Sequence, residues 1–342
     1  MAVESDADFS VEVRPADVGH ELVVDGASLY RASDPGNVLD HLVAWCNRRA
    51  VASRPDAVNV HAAGLVAPGS TRAIVIPGAP GAGKTTLAAA ACRRGWGYLS
   101  DEMVSVEAGM LRSYPKPLTM KQGSLSFVED LDLSRYELGH QQSRWYISVA
   151  ELGGWVAERA NPHAIVFVGY ADHNGTGVTE LSVGEATLAL AVNCQHELDR
   201  SGRKLFALAE LADASIRVEL EHRDLAEAID VLEDLAGREP APTGSVSVLP
   251  PVTRRGDLGP AVAPGVSGVA TPDGVVLHRH ETDGIALLDP LAGTIWRLLD
   301  GSASTDQLVV DLAEAFSHPA DAVRADVGRL LHDLAENGFV DA

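Results

Sequence analysis

The feature that most constrains the fold is a glycine-rich segment, Gly78 to Thr85, that stands between a strand pattern and a helix pattern. Residues 73–77 read AIVIP, a short β-branched run typical of a buried strand. From Thr85 onward the sequence reads TTLAAAACRRG, a strong helix-forming run that ends at Gly95. A strand, a tight glycine turn and a helix in this order predict a layered α/β fold.

The glycine-rich segment also predicts a nucleotide site, because GAPGAGKT fits G-x-x-x-x-G-K-[ST] at every fixed position. Its glycines let the backbone turn N–H groups toward phosphate oxygens, and the following helix presents its positive dipole end. Lys84 supplies a mobile charge for the β- and γ-phosphates, and Thr85 offers a hydroxyl to Mg²⁺. The predicted residues for ATP and Mg²⁺ are Gly78, Ala79, Pro80, Gly81, Ala82, Gly83, Lys84, Thr85 and Thr86.

Two adjacent carboxylates, Asp101 and Glu102, follow the loop in the next strand candidate, 98–107. A carboxylate there can lie beside the loop and hold Mg²⁺ directly or through water. Two carboxylates also allow one to bind the metal while the other accepts a proton from an attacking hydroxyl. His61 lies just before the loop strand, where a single histidine by itself is more often structural.

Strand and helix patterns alternate along the chain as far as residue 237, which favours an α/β architecture. The strand candidates are 10–15, 21–26, 73–77, 98–107, 164–170 and 216–222, and the helix candidates are 38–50, 85–95, 184–211 and 224–237. Residues 238–268 carry six prolines without sustained periodicity, which predicts a flexible, partly extended linker.

A second, small domain is predicted over 269–342. Two strands, 274–280 and 284–290, are separated by a Glu-Thr-Asp-Gly turn. Three helical segments follow, at 291–299, 305–316 and 320–337. The first domain is then 1–237, with an N-terminal portion, 1–60, and a loop-bearing core, 61–237.

The charge balance excludes some partners. The chain has 27 basic and 48 acidic residues, a formal net charge of −21, which disfavours general binding to nucleic acid or to anionic lipid. No apolar run approaches the ~20 residues of a membrane span, and the acidic N-terminus is unlike a signal peptide. Three widely spaced cysteines fit a reducing cytosol, so we expect a cytoplasmic protein.

The segments VHAAGLV, GAPGAGKTTLAAAACRRGWGYLSDE and YPKPLTMKQGS together resemble the HPr kinase/phosphorylase family and its HPr-kinase-like relatives. The resemblance implies a P-loop kinase fold related to phosphoenolpyruvate carboxykinase, transfer of phosphate to a serine hydroxyl, and oligomers in some members. By this resemblance Asp101 helps to hold Mg²⁺, Glu102 is the general base and His61 assists it.

The chain also departs from that family. Glu102 stands where the family usually has Asp, and YPKPLTMKQGS replaces the glycine-rich signature of true HPr kinases. Phosphorylation of HPr itself is therefore not expected. Lys116 and Lys121, in the replacing segment, can approach the transferred phosphoryl group or an acidic acceptor, or can be surface lysines beside a turn.

The segments LLDPLAGTIWRLLDGSASTDQLVVDLAEAF and VRADVGRLLHDLAENGFV resemble PqqD-like domains, which bind the leaders of ribosomally made, modified peptides. The resemblance implies a winged-helix α+β domain in which the leader adds a strand to a sheet edge. Four acidic residues against two arginines in the last helix argue against its entry into a DNA groove. The implied pairing edge is Ile285, Ala286, Leu287 and Leu288, and the implied groove residues are Val323, Val327 and Leu331.

Three functions stay open at this point. The first is an ATP-dependent kinase for a Ser or Thr hydroxyl of a ribosomally synthesised precursor peptide. It would act in the biosynthesis of a peptide natural product, and related kinases act on precursors of lasso peptides. The second is a small-molecule kinase, for example for free serine, which leaves the PqqD-like domain without a role. The third is a non-catalytic, ATP-binding adaptor that delivers the peptide to other enzymes.

Overall fold

The computed structural model describes residues 9–136, 144–170, 175–194 and 198–341. The strands are β1 (Val11–Pro15), β2 (His20–Val24), β3 (Ala27–Ala32), β4 (Val58–Val60), β5 (Ala62–Val66), β6 (Arg72–Pro77), β7 (Gly97–Ser100), β8 (Val104–Glu107), β9 (Met110–Arg112), β10 (Leu118–Lys121), β11 (Arg144–Ile147), β12 (Trp155–Val156), β13 (Arg159–Tyr170), β14 (Gly177–Glu180), β15 (Ile216–His222), β16 (Ser247–Val248), β17 (Ala261–Val262), β18 (Val266–Thr271), β19 (Gly274–Arg279), β20 (Gly284–Leu288) and β21 (Val340–Asp341). The helices are α1 (Pro35–Ala52), α2 (Lys84–Arg93), α3 (Val183–Val192), α4 (Arg203–Asp213), α5 (Leu225–Gly237), α6 (Pro290–Arg297), α7 (Thr305–Phe316) and α8 (Ala320–Glu336), with short 3₁₀ turns at Gln122–Val128, Leu133–Tyr136 and Val149–Leu152.

A small N-terminal unit consists of the antiparallel sheet β1-β2-β3 and α1. The helix starts where Asp34 accepts a hydrogen bond from Gly36 N, with Pro35 in the first turn, as helix starts favour. The sequence predicted two strands here and missed β3, whose residues ASLYRA include no β-branched side chain. Residues 58–60 fall within the predicted N-terminal portion, 1–60, but they form β4, which pairs with β8 of the large sheet and so lies outside this unit.

The large sheet is mixed, and its central strands are parallel. Seven of its strands are hydrogen-bonded in the order β12-β7-β5-β6-β13-β15-β14. The first residues of β13 also pair with β9, which is followed in the sheet by β8 and β4. β7, β6, β13 and β15 run in one direction, whereas β5 and β14 run against them. The turn after β6 and the turn after β7 therefore lie at the same edge of the sheet.

Helices cover both faces of this sheet. Along β6, Ile74 and Ile76 pack on the α2–α5 side, and Val75 packs on the α3–α4 side. Successive strand residues point to opposite faces, so a strand covered on both sides is apolar throughout. This explains why AIVIP was recognisable as a buried strand.

Two predicted elements are each divided in the structure. The predicted strand 98–107 is wrong as one element, because it breaks between β7 and β8. There Ser100 Oγ accepts the N–H groups of Glu102 and Met103, both at 3.0 Å. The predicted helix 184–211 is likewise two helices, α3 and α4, and its residues 195–197 lie outside the described residues.

The predicted flexible linker, 238–268, is wrong, because much of the segment is bound to the rest of the molecule. β16 pairs with β18, β17 pairs with β21, and Leu249 packs against the C-terminal core. The buried carboxylate of Asp213 accepts hydrogen bonds from Thr243 and Gly244. Prolines occur in extended segments at sheet edges as well as in free linkers. The composition of residues 238–268 therefore does not distinguish between the two.

The C-terminal part is a four-stranded sheet, β16-β18-β19-β20, with α6, α7 and α8 on one face. Its strands β19 and β20 and its three helices agree with the predicted elements to within two residues. The opposite face of the sheet packs on α3 and α4, where Val269 and Val276 join the cluster of Leu190 and Leu208. The C-terminal part and the large sheet thus share one apolar core.

Gly184 is a point of close packing in that shared core. Its N–H donates to Asp273 in the turn between β18 and β19, at 2.9 Å. A Cβ at Gly184 would lie 2.5 Å from Asp273 Oδ2 and 2.7 Å from Leu287 Cδ1, closer than real contacts allow.

We expect Gly184→Ala to destabilise the protein by about 1 kcal/mol, at the low end of overpacking costs, because the added methyl displaces the ends of the Asp273 and Leu287 side chains. Gly328→Ala in α8 is the matched control, because a Cβ at Gly328 meets no atom within 4 Å. The control is expected to stabilise by about 0.5–1 kcal/mol through helix propensity. Chemical denaturation measures both, and equal effects of the two substitutions would contradict the close packing at Gly184.

Candidate functional site

A cavity of about 290 Å³ lies at the edge of the sheet where β6 and β7 end. Its lining consists of the glycine-rich loop, the acidic pair and residues of the β10–β11 region: His61, Pro80, Gly81, Gly83, Lys84, Thr85, Thr86, Asp101, Glu102, Thr119, Lys121, Ser124 and Arg144. A larger cavity of about 660 Å³, between α4 and β8, contains none of the predicted site residues.

The glycine-rich loop has the bent backbone that the sequence predicted. Gly81 and Gly83 adopt φ values of +96° and +88°, which side chains with a Cβ rarely adopt. Lys84 is the first residue of α2, and its Nζ donates to the carbonyl oxygens of Gly78 and Ala79. Burial lowers the pKa of Lys84, and the nearby charges of Asp101 and Glu102 oppose this shift. The buried cation is therefore held inside the loop.

Asp101 is a buried carboxylate whose two oxygens have different partners. Oδ2 accepts from Thr85 Oγ1 at 2.9 Å, and Oδ1 accepts from Tyr98 OH at 2.8 Å and from Lys116 Nζ at 2.7 Å. Burial by itself raises the pKa of Asp101, but the Lys116 charge and these hydrogen bonds outweigh it, so the pKa lies below its usual value. Asp101 is thus ionised, with one oxygen beside the Thr85 hydroxyl.

Lys116 lies neither in the cavity lining nor at the surface, the two positions expected from the sequence. Its side chain is only 7% exposed, and its Nζ contacts Asp101 and Thr119 Oγ1, each at 2.7 Å. It does not belong to the cavity lining. The structure therefore assigns Lys116 to holding Asp101, whereas Lys121 lines the cavity.

His61 lies between Lys84 and Glu102. Its Nε2 is 3.1 Å from Lys84 Nζ, and its Nδ1 is 3.8 Å from Glu102 Oε1. A lysine ammonium only donates, so Nε2 accepts and the ring proton is on Nδ1, the ring nitrogen nearer to the Glu102 carboxylate. Burial and the Lys84 charge lower the pKa of His61, which favours this neutral form. The structure thus brings His61, Lys84, Asp101 and Glu102 into one site.

We expect His61 to titrate below 6.5, the ordinary histidine value, when followed by NMR of its ring protons. Lys84→Met removes a neighbouring positive charge and is expected to raise the pKa of His61. His332→Gln, on the exposed face of α8, is the control that helps to assign the signals without changing the site. An unchanged His61 pKa in the Lys84 variant would contradict the described contact.

Sequence reasoning missed four residues of this site: Tyr98, Thr119, Ser124 and Arg144. Tyr98 donates to Asp101, and Thr119 N lies 3.3 Å from the same carboxylate. Ser124 Oγ accepts from Thr86 Oγ1 at 3.1 Å, which ties α2 to the turn after β10. Arg144 comes from β11, and only the pairing of β10 with β11 brings it near the loop. Tyr98, Thr119 and Ser124 lie in segments whose resemblance was recognised without giving them a role, whereas no local pattern includes Arg144.

The predicted leader-binding residues lie together on the C-terminal sheet and α8. In the described part of the chain, β20 is an outer strand that pairs with β19 alone. Ala286 and Leu288 face the helical core, to which the predicted groove residues Val323, Val327 and Leu331 also belong. Ile285 and Leu287 face α3 and α4 instead, because neighbours along a strand alternate.

The described residues contain no cluster of three or more His, Cys, Asp or Glu side chains placed to hold a metal ion by themselves. Within the same ranges, no helix is long and apolar enough to cross a bilayer.

The C-terminal part is similar to known proteins. A family model described as coenzyme PQQ synthesis protein D (PqqD) matches residues 274–340. These residues include β19, β20 and α6 to α8, so the chain carries a PqqD-like domain at this end, as predicted. The solved structure of TbiB1 in complex with the TbiA(beta) leader peptide is 23% identical, with a TM-score of 0.23, and the match covers 24% of this chain and 95% of that chain. No curated protein matches the chain.

Proposed function

We propose that this protein is an ATP-dependent kinase for a Ser or Thr hydroxyl of a ribosomally synthesised precursor peptide, whose leader binds the PqqD-like domain. The observation that carries the proposal is the cavity beside the glycine-rich loop. It combines a buried lysine, an ionised carboxylate next to a hydroxyl, and a second carboxylate next to a neutral histidine. The PqqD-like domain on the same chain favours a peptide over a small molecule.

The residues of the cavity fit a Mg²⁺-nucleotide. The loop N–H groups and Lys84 would hold phosphate oxygens, and Thr85 Oγ1 and Asp101 Oδ2 would offer oxygen ligands to the metal. Mg²⁺, when bound, neutralises negative charge on the phosphates. Lys116 and Tyr98 fix the orientation of Asp101 through its other oxygen.

Glu102 is the proposed general base. Its side chain is 34% exposed at the cavity, so an acceptor hydroxyl can reach it. The hydroxyl oxygen forms a new bond to the γ-phosphorus, the bond from that phosphorus to the β,γ-bridging oxygen breaks, and ADP leaves. Glu102 takes the hydroxyl proton, and the Nδ1 proton of His61 faces its carboxylate.

The PqqD-like domain is the proposed leader site. The leader would add a strand beside β20 and pack against the groove formed with α8. Because the sheet of this domain packs on α3 and α4, the leader site has a fixed position relative to the cavity. The distance from leader to modified residue is then set by the peptide and not by a flexible linker.

Intact mass spectrometry tests the proposal on the precursor peptide encoded beside the gene for this chain, incubated with ATP and Mg²⁺. We expect a gain of one or more phosphates on the peptide. Phosphorylation of free serine without any gain on the peptide would support the small-molecule kinase instead. Binding of both ATP and peptide without transfer would support the adaptor and overturn the kinase.

A further inference from the structure

The short ribbon of β10 and β11 places two positive charges side by side. Lys121 stands directly opposite Arg144 in this antiparallel pair. Residues that are directly opposite point to the same face, and like charges in such pairs are destabilising. Both residues also line the cavity together with Lys84. The positive charges of Lys84, Lys121 and Arg144 thus lie around one cavity. An anion bound there would reduce the repulsion between them.

The acidic groups of the cavity already have defined partners. Asp101 is bound by Lys116 and Tyr98, and Glu102 faces His61. Lys121 and Lys84 line the same cavity. Burial is the main cause that lowers the pKa of Lys84, and the Lys121 charge adds to this shift. A polyanionic ligand is therefore the chemistry that this wall of the cavity fits.

Arg144 is also tied to the N-terminal unit. Its Nε lies 3.8 Å from Oδ2 of Asp40 on α1, and Oδ1 of Asp40 accepts a hydrogen bond from Tyr146 OH at 2.6 Å. Asp40 thus contacts two residues of β11, one of which lines the cavity. This contact connects α1 to the cavity wall and gives the N-terminal unit a role in the site.

We propose that Lys121 and Arg144 form an anion subsite for the terminal phosphate of a nucleoside triphosphate, with Asp40 as a positioning residue for Arg144. The proposal rests on the proposed function. The loop serves phosphates that a diphosphate and a triphosphate share, and Lys84 is assigned to the β- and γ-phosphates. The Lys121–Arg144 pair, on the β10–β11 part of the lining, adds contacts to the terminal phosphate and so distinguishes the triphosphate from the diphosphate.

Calorimetry on the full chain tests the subsite with ADP and with a non-hydrolysable ATP analogue, each with Mg²⁺. We expect the wild type to prefer the triphosphate, and Arg144→Gln or Lys121→Gln to weaken its binding about 10-fold, as for a hydrogen bond to a charged group. The affinity of the variants for ADP is expected to change by less than about 2-fold. The preference of the wild type for the triphosphate over ADP is expected to fall with added salt. Arg93→Gln, at the end of α2 and paired with Asp130, is the control outside the cavity.

Asp40→Asn tests the positioning role through the same ratio of affinities. We expect it to reduce the triphosphate preference by a smaller factor than Arg144→Gln, with ADP binding retained. Asp40→Glu is expected to restore part of the preference. A purely structural role would lower both affinities together and would overturn the assignment of Asp40.

The outcomes also separate this subsite from the proposed function. Two results would overturn the proposed subsite but not the proposed kinase function. Either the Arg144 and Lys121 variants keep the wild-type preference for the triphosphate over ADP, or they lose affinity for both nucleotides by the same factor. If they change only the KM of an acidic peptide, the anion is the peptide and the subsite is again wrong. If the wild type binds neither nucleotide, the proposed function fails as well.

Discussion

Replacing Glu102 by Gln is expected to lower the rate of phosphoryl transfer by about 10²–10⁴-fold, the range typical of a lost general base. Gln keeps the size of the side chain but does not accept the hydroxyl proton as a carboxylate does. Nucleotide affinity is expected to stay within about 3-fold of the wild type, because the phosphates are assigned to the loop and Lys84. Single-turnover phosphorylation and calorimetry measure the two effects separately.

The matched control is Glu107→Gln. Glu107 lies at the end of β8, its side chain is also 34% exposed, and its ion pairs are with Arg54 and Arg112 outside the cavity. This substitution is expected to leave transfer unchanged. Equal rates for the Glu102 variant and the wild type would show that the base is another group, and the assigned role of His61 would fail with it.

Replacing Leu190 by Ala is expected to destabilise the protein by about 2–5 kcal/mol, as for other buried leucines. Leu190 is fully buried on α3 and belongs to the cluster that Val269 and Val276 of the C-terminal sheet complete. The cavity left by the substitution therefore lies in the core that the two parts share. Hydrogen exchange is expected to speed up in α3 and in β19 together.

The control for this second prediction is Val310→Ala, an exposed position of α7. It is expected to change stability by less than about 0.5 kcal/mol. Faster exchange in α3 with unchanged exchange in β19 would mean that the PqqD-like domain folds independently. The fixed position of the leader site would then be contradicted.

Much of the site could be predicted from the sequence because its residues are local. Gly78 to Thr85 carry the loop in eight consecutive positions, and Asp101 and Glu102 follow at the next strand end. Such short stretches combine motif, strand and helix signals. Their assembly in one cavity agrees with the prediction, while ATP and Mg²⁺ binding stay predictions.

The parts that could not be predicted depend on contacts between distant segments. Arg144 reaches the cavity only through the pairing of β11 with β10, and Lys116 turns toward Asp101 because that buried carboxylate binds its charge. Residues 238–268 have the composition of a linker, yet β16 and β17 pair with strands elsewhere. Neither composition nor periodicity records which strand a segment pairs with.

The most direct test of the account is whether leader binding and phosphoryl transfer occur on one peptide. Full-length precursor and the same peptide without its leader are compared at equal, sub-saturating concentration with ATP and Mg²⁺, by intact mass over time. We expect the leaderless peptide to be phosphorylated at least about 10-fold more slowly, since it loses the added effective concentration, and free leader to inhibit the full-length reaction. Equal rates for the two peptides, with no inhibition by free leader, would contradict the account.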